Sequence, residues 1–130
     1  MAVRNLRQTV TIPGSPHDVF EALADPEQHA QFSGASASMD RVPGGRFEHY
    51  DGSLSGYVLE LVPDKRIVLA WRSSGWPEGH FSICQFRFRK VKGGTRLEFE
   101  QFGIPSSDYK DISDGWRQYY WAPLKQFLGE

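Results

Sequence analysis

The strongest constraint on the fold is a pair of alternating segments on either side of Gly93-Gly94, between residues 81 and 102. Apolar and polar residues alternate in both segments, which is typical of two antiparallel strands with one buried face. A two-residue turn at Gly93-Gly94 predicts three cross-strand pairs, which are Phe88 with Phe99, Arg89 with Glu98 and Arg87 with Glu100. The buried face then carries Cys84, Phe86, Phe88, Leu97 and Phe99. A slip of one residue would bury the charges, so the two faces should be firmly fixed.

Helix signals lie near both ends of the chain. Ser15-Pro16 with Asp18 predicts a capped helix start, and Asp25-Pro26 predicts a second short helix. A strand is predicted at residues 7–12, and short strands separated by turn sequences should fill residues 33 to about 85. Residues 108–127 have helical spacing, and Pro123 predicts a kink near Tyr119. This order indicates one α+β domain, residues 1–130, with a long terminal helix across a curved antiparallel sheet.

Composition excludes several classes of function. The chain has 130 residues with 15 Lys and Arg against 16 Asp and Glu, so no excess of positive charge favours nucleic acid or anionic lipid. No apolar run is long enough to span a bilayer, and the first residues lack the apolar core of a signal peptide. The only cysteine, Cys84, has no disulfide partner within the chain. We therefore expect a cytoplasmic protein with neither a nucleic acid nor a membrane partner.

Catalytic and metal-binding patterns do not emerge from the sequence. The four histidines, which are His17, His29, His49 and His80, have no metal-ligand spacing. No nucleophile elbow, phosphate-binding loop or dinucleotide fingerprint occurs. Glu48 and His49 are adjacent, but neighbours on a strand point to opposite faces. We therefore expect a protein that is not an enzyme, with no catalytic residue, no metal and no cofactor.

The segment "WRSSGWPEGHF" places Trp76 in a polar hairpin tip. Trp76 to Gly79 has the composition of a type I turn with the indole at its first corner. Trp76 either covers an open end of the sheet or serves as an aromatic anchor for a protein partner, and both interpretations remain open. Phe81 and Ile83 should be partly exposed beside the tip. The candidate partner-binding residues are Trp76, Pro77, Glu78, His80, Phe81 and Ile83.

A helix across a curved sheet can also enclose an apolar cavity for a small ligand. The sequence has nine Phe, five Tyr and four Trp, and a filled aromatic core is the simpler expectation. The candidate cavity-lining residues are Trp71, Phe86, Phe88, Phe99, Trp116 and Tyr120.

A set of short motifs makes nearly the whole chain resemble one known family. The motifs are Gly44-Gly45 with Phe47, Asp51-Gly52 before Ser55-Gly56, Leu61-Val62-Pro63, Trp71, residues 76–81 ("WPEGHF"), Gly103-Ile104-Pro105, and Gly115-Trp116 with Tyr119-Tyr120. Together they resemble the C-terminal domain of the activator of the heat shock protein 90 ATPase. That family belongs to the helix-grip superfamily, also called START-like, so the resemblance implies a sheet that grips a helix.

The resemblance also implies a partner and a role. Members of this family bind a heat shock protein 90 chaperone, so we expect a co-chaperone domain that binds it through the loop residues above. The eukaryotic members carry a separate N-terminal domain and a short motif that contribute much of the ATPase stimulation, and these 130 residues contain neither. We therefore expect binding without full stimulation. The alternative function is that of a START-like binding protein for a small hydrophobic molecule.

Overall fold

A seven-stranded antiparallel sheet forms the body of the molecule, in a computed structural model that describes residues 2–129. The strand order is β1-β7-β6-β5-β4-β3-β2, so the first strand pairs with the last. The strands are β1 Val3–Ile12, β2 Ser38–Met39, β3 Arg46–His49, β4 Leu54–Val62, β5 Arg66–Ser73, β6 Ser82–Val91 and β7 Gly94–Pro105. A long helix follows the sheet, which confirms the predicted α+β helix-grip class.

Two short helices connect β1 to the rest of the sheet, as the sequence predicts. Helix α1, Pro16–Ala24, begins with a capping box in which the Ser15 hydroxyl accepts from the Asp18 N–H at 3.1 Å. Helix α2, Pro26–Ser33, is capped by Asp25, whose carboxylate accepts from the Glu27 N–H at 3.1 Å. Each cap satisfies a backbone donor that a helix start leaves free, and the proline after it has no donor to satisfy.

The C-terminal helix, residues 109–128, consists of three parts. They are α3 Tyr109–Trp116, a π-helical segment Arg117–Trp121, and α4 Ala122–Leu128. Pro123 has no N–H to donate to the Tyr119 carbonyl four residues earlier, and the Ala122 N–H bonds to Arg117 O, five residues back. Where the sequence predicts a kink near Tyr119, the helix has a π-helical segment, a form found as single turns inside α-helices.

The hairpin of β6 and β7 confirms the predicted faces and corrects the predicted pairs. Cys84, Phe86, Phe88, Leu97 and Phe99 are buried on one face. The observed pairs are shifted by two residues, with Phe88 opposite Leu97, Arg87 opposite Glu98 and Arg89 opposite Arg96. A shift of two residues leaves every side chain on the same face of the sheet, so the alternation of apolar and polar residues alone does not determine the register.

The position of Gly94 accounts for the observed register. A side chain on Gly94 would lie 2.2 Å from the Ile12 carbonyl oxygen, so this glycine belongs in β7 beside the end of β1. Lys92 and Gly93 are left as the turn. Glu100 is then opposite Arg7 of β1, and its carboxylate accepts a hydrogen bond from the Arg7 guanidinium at 2.8 Å. Arg87 is therefore not the partner of Glu100.

The C-terminal helix packs on the inner face of the sheet through two tryptophans. Trp116 Nε1 donates to Gln101 Oε1 at 2.8 Å, and Trp121 Nε1 donates to Gln8 Oε1 at 2.6 Å. Both glutamines are buried on the sheet, which makes each hydrogen bond costly to break. These two bonds set the position of the helix along the sheet. Within residues 2–129, no helix is long and apolar enough to cross a bilayer.

Candidate functional site

Trp76 is buried, so the exposed-anchor interpretation of this residue is wrong. Only 4% of its surface is accessible, and its ring contacts Trp71 and His80 at centroid distances of 5.5 and 5.4 Å. The loop folds back because Arg72 donates to the Trp76 carbonyl at 2.7 Å and His80 bonds to the Gly103 carbonyl at 2.8 Å. The indole therefore covers the open end of the sheet.

The loop itself differs from the predicted type I turn. The Trp76 N–H bonds to Ser73 O, and the His80 N–H bonds to Pro77 O, so two turns follow each other. Gly79 is the third residue of the second turn with φ +78, as a type II turn requires. Pro77 and Glu78 are exposed at the tip, whereas His80 is half-buried. The loop thus presents a proline and a carboxylate rather than an indole.

Exposed apolar side chains form a row across the outer face of the sheet. Tyr57, Ala70, Ile83 and Phe102 are directly paired from β4 to β7, and we call these four residues the outer row. The exposed fractions of Tyr57, Ile83 and Phe102 are 38%, 36% and 40%. Phe81 extends the row, with its ring 5.9 Å from that of Tyr57. The sequence predicts the exposure of Phe81 and Ile83, but Tyr57 and Phe102 were missed.

The space between the C-terminal helix and β6 is filled, as the simpler expectation from the sequence has it, and the alternative of a cavity there is wrong. Trp116 contacts Phe99 and Phe86 at ring distances of 4.3 and 5.8 Å, and Phe88 contacts Phe20 of α1 at 5.8 Å. Phe86, Phe88 and Phe99 are therefore packed core residues. The other three candidates, Trp71, Trp116 and Tyr120, line a groove nearer the open end of the sheet.

This groove has a volume of about 330 Å³ and lies between the C-terminal helix and the start of β4. Five aromatic side chains line it, namely Tyr50, Trp71, Trp116, Tyr119 and Tyr120, and we call it the aromatic groove. Leu54, Ile112 and Asp111 complete most of its wall. Its floor is buried and Tyr119 is 50% exposed at its edge, so the groove opens to solvent.

Tyr50 joins the groove through an unusual backbone conformation. Tyr50 and Asp51 have φ values of 52° and 58°, in the left-handed region that bulky residues avoid. The Asp51 carboxylate holds this turn by accepting from the Ser36 N–H at 2.8 Å. The Tyr50 hydroxyl donates to the Tyr119 carbonyl, the group that faces Pro123. Burial and the neighbouring Tyr119 raise the pKa of Tyr50 to about 12, so the hydroxyl remains a donor.

Two histidines are stacked beneath the groove. The rings of His29 and His49 lie 3.7 Å apart, and His49 Nδ1 is 2.9 Å from the Tyr120 hydroxyl. Both His29 nitrogens are buried without a hydrogen-bond partner among the described residues. Burial lowers the pKa of His29 to about 4, and burial with the adjacent His29 lowers the pKa of His49 well below 6.5. Both rings are therefore neutral at pH 7.

No catalytic or metal constellation occurs in the part of the chain that the structure describes. Glu48 is exposed and His49 is buried, so the two point to opposite faces as expected. Within residues 2–129, no three His, Cys, Asp or Glu side chains come together as a metal site. Cys84 is buried and reduced, and burial raises the pKa of its thiol well above 9.0, so a thiolate nucleophile is disfavoured.

The sheet, the gripped helix and the groove between them define a protein of the helix-grip class. The family model described as activator of Hsp90 ATPase homolog 1-like protein matches residues 13–129, and the chain belongs to this family. The resemblance seen in the sequence is therefore confirmed.

Named relatives are consistent with this family. The human activator of 90 kDa heat shock protein ATPase homolog 1 is 36% identical over 115 residues, which is 88% of this chain and 34% of the relative. The mouse homolog 2 is 30% identical over 98 residues, 75% of this chain and 30% of the relative. The chain thus spans about a third of the length of the curated relatives that it matches.

Solved structures show the same fold. The crystal structure of an HSP90 activator from Plasmodium falciparum has a TM-score of 0.89 and 26% identity, and the match covers 98% of this chain and 97% of that one. A Mesorhizobium loti protein has a TM-score of 0.82 and 23% identity, with 97% of each chain covered, and it supports the fold alone. The human and mouse relatives are named activators of an ATPase, that is, regulators rather than catalysts of that reaction.

Proposed function

We propose that this single domain, residues 1–130, is a co-chaperone module that binds a heat shock protein 90 chaperone through the outer row and the adjoining loop. The observation that carries the proposal is the continuity of the outer row, four paired residues across four strands. Exposed apolar surfaces of this kind mark protein contacts. The human and mouse relatives match 88% and 75% of this chain and are named activators of the 90 kDa heat shock protein ATPase, and these names support the choice of partner.

Charged side chains surround the outer row, as they do at a non-obligate protein contact. The guanidinium of Arg46 lies 5.5 Å from the Tyr57 ring centroid, and that of Arg72 lies 6.0 Å from the Phe81 ring. Glu78 is exposed at the loop tip. An apolar centre with a charged rim is the usual arrangement of a non-obligate interface, in which rim charges act mainly on the association rate. Pro77 and Glu78 keep their proposed contact roles, and we propose the cytoplasm as the compartment of this contact.

The double variant Tyr57→Ser, Ile83→Ser tests the proposal. Truncation of two central contacts should weaken binding by about 2 kcal/mol or more, which is about thirtyfold, while the melting temperature of the free domain changes little. Calorimetric titration of the chaperone, with and without ATP, provides the measurement. Val42→Ser is the matched control, because Val42 is 51% exposed outside the outer row. Equal affinity of the double variant and the unaltered domain would disprove the surface, and no binding of the unaltered domain would disprove the function.

A second candidate function is the binding of a small apolar molecule in the aromatic groove. The specific observation in its favour is the groove volume of about 330 Å³, which is within the range of small-molecule sites. Its lining is mostly aromatic, and its floor consists of the buried residues Trp71, Trp116 and Tyr120. This candidate does not compete with chaperone binding, because the outer row lies on the opposite face of the sheet.

A further inference from the structure

We propose that the aromatic groove binds a small organic cation, such as a quaternary alkylammonium ion, that is free in solution. The proposal rests on the second candidate function, in which the groove holds a small ligand, and it adds the charge of that ligand. The observations that support it are the arrangement of the rings, the charges of the lining residues and the backbone that holds them.

The five rings of the groove form a continuous wall. The ring of Tyr50 lies 5.8 Å from that of Tyr119 and 5.7 Å from that of Tyr120. The wall continues from Tyr120 to Trp116 at 4.4 Å and from Trp116 to Trp71 at 5.5 Å. Aromatic faces carry partial negative charge, and tryptophan and tyrosine attract cations more strongly than other side chains without a formal charge. A concave wall of such rings favours a positive group.

The formal charges of the lining residues point in the same direction. Asp111 contributes a carboxylate, and no Lys, Arg or His occurs among the described residues that line the groove. The adjacent Lys110 is directed to Asp114, to which it donates at 2.7 Å. A fatty acid would place its carboxylate against ring faces and the Asp111 carboxylate, and both would repel it. A cation with an apolar body meets both features favourably, because the weakly hydrated ammonium loses little on leaving water.

The backbone around the groove contains two costly features that both serve its wall. Tyr50 is held in the left-handed region, and Tyr119 and Tyr120 belong to the π-helical segment. Strained dihedrals and π-helical turns concentrate at functional sites, where the surrounding structure compensates for their cost. Here the two features are linked, because the Tyr50 hydroxyl donates to the Tyr119 carbonyl. The sheet turn and the helix are thereby fixed against each other at the groove.

The size of the groove selects a small ligand. Its volume of about 330 Å³ accommodates a quaternary ammonium group and a short alkyl or aromatic body. Trp71, Trp116 and Tyr120 are at most 3% exposed, so a ligand would touch only a small part of these rings at the base of the groove and would contact mainly Tyr50 and Tyr119. This size favours a free small molecule over a side chain on the surface of a large partner.

The test compares choline with 3,3-dimethylbutan-1-ol, which has the same shape with carbon in place of the charged nitrogen. Binding is followed through the indole N–H resonances of the full chain, assigned by single Trp→Phe variants. We expect choline to shift Trp71 and Trp116 and to bind about tenfold or more tightly than the alcohol. Trp121 is an internal control, because it does not line the groove.

Variants distinguish the effect of the site's charge on binding from the effect of its shape. Asp111→Asn should weaken choline binding several-fold and leave the alcohol unchanged, while Glu27→Gln, an exposed control on α2, should change neither. Tyr119→Leu should also weaken choline selectively, while Tyr119→Phe should not, because the ring is retained. Tyr119 and Asp111 are exposed, so these changes leave the core intact.

The outcomes distinguish this proposal from the candidate function on which it rests. Hexanoate is added as a third, anionic probe. If the alcohol and hexanoate bind as well as choline and Asp111→Asn has no effect, the groove holds a ligand but the cation proposal is wrong. If none of the three probes shifts Trp71 or Trp116 at millimolar concentration, both the cation proposal and the second candidate function fail. Shifts of Trp121 equal to those of Trp116 would show non-specific binding and overturn the cation proposal.

Discussion

At the scale of single residues, the stacked pair of His29 and His49 makes the core sensitive to acid. Both rings are neutral in the folded domain, and neither nitrogen of His29 has a hydrogen-bond partner among the described residues. An unfolded histidine takes up a proton near pH 6.5, whereas folded His29 does so only near pH 4. The unfolded state therefore binds more protons in this window, and stability falls as the pH decreases from 6.5 to 4.

We expect His29→Phe to reduce this loss of stability. A shift of the pKa from 6.5 to about 4 corresponds to about 3 kcal/mol lost between pH 7 and pH 4 for His29 alone. The phenyl ring keeps the stacking and gives up no hydrogen bond. Urea unfolding at a series of pH values measures the effect. His17→Gln is the control, because exposed His17 pairs with Asp64 at 2.9 Å, which raises its pKa, so His17 cannot cause a loss of stability toward acid. If the stability of His29→Phe depended on pH in the same way as that of the unaltered chain, His29 would not be the source of the acid sensitivity.

Trp76 gives a second prediction at this scale. Trp76→Ala removes a buried ring and should lower the free energy of unfolding by about 3–5 kcal/mol. Trp76→Phe should cost less, because the Trp76 Nε1 has no hydrogen-bond partner within residues 2–129 and the smaller ring keeps part of the contact with Trp71. Denaturant melts of the two variants decide the matter. A melt of Trp76→Ala unchanged from that of the unaltered chain would show that the ring does not stabilise the fold.

At the scale of helices and strands, local sequence determined the helix starts and the buried faces but not the strand register or the groove. Ser15 and Asp18 form a cap that depends only on neighbouring residues. The hairpin pairs were shifted by two because the reason for the register, the approach of Gly94 to Ile12, connects residues far apart in sequence. Two rings of the groove were missed for a similar reason, since a turn supplies Tyr50 and a π-helical segment supplies Tyr119.

The bond between that turn and that helical segment can be tested directly. Tyr50→Phe removes the donor to the Tyr119 carbonyl, which Pro123 cannot satisfy, and should cost about 1 kcal/mol of stability. Tyr57→Phe is the matched control, because its exposed hydroxyl only accepts from Arg46 at 3.4 Å. Urea melts compare the two losses. An equal loss for both variants would mean that the Tyr50 hydroxyl contributes no more than a surface group.

At the scale of the whole molecule, the fold separates two surfaces by the thickness of the sheet. The outer row faces away from the helix, and the aromatic groove lies between the helix and the inner face. The two contacts proposed above, a chaperone on the outer row and a small ligand in the groove, would therefore not exclude each other. The packed core between them contains Phe86 and Phe99, which touch Trp116 of the groove.

The pairing of β1 with β7 has a consequence for the synthesis of the chain. Val3 pairs with Pro105 and Ile12 with Thr95, so β1 has no partner until β7, the last strand of the domain, has left the ribosome. Contacts between such distant parts of a chain slow folding and leave strand edges exposed in the meantime. The domain therefore completes its sheet only after residue 105 has been made, and any shortened product that ends before residue 95 leaves β1 with an unpaired, aggregation-prone edge.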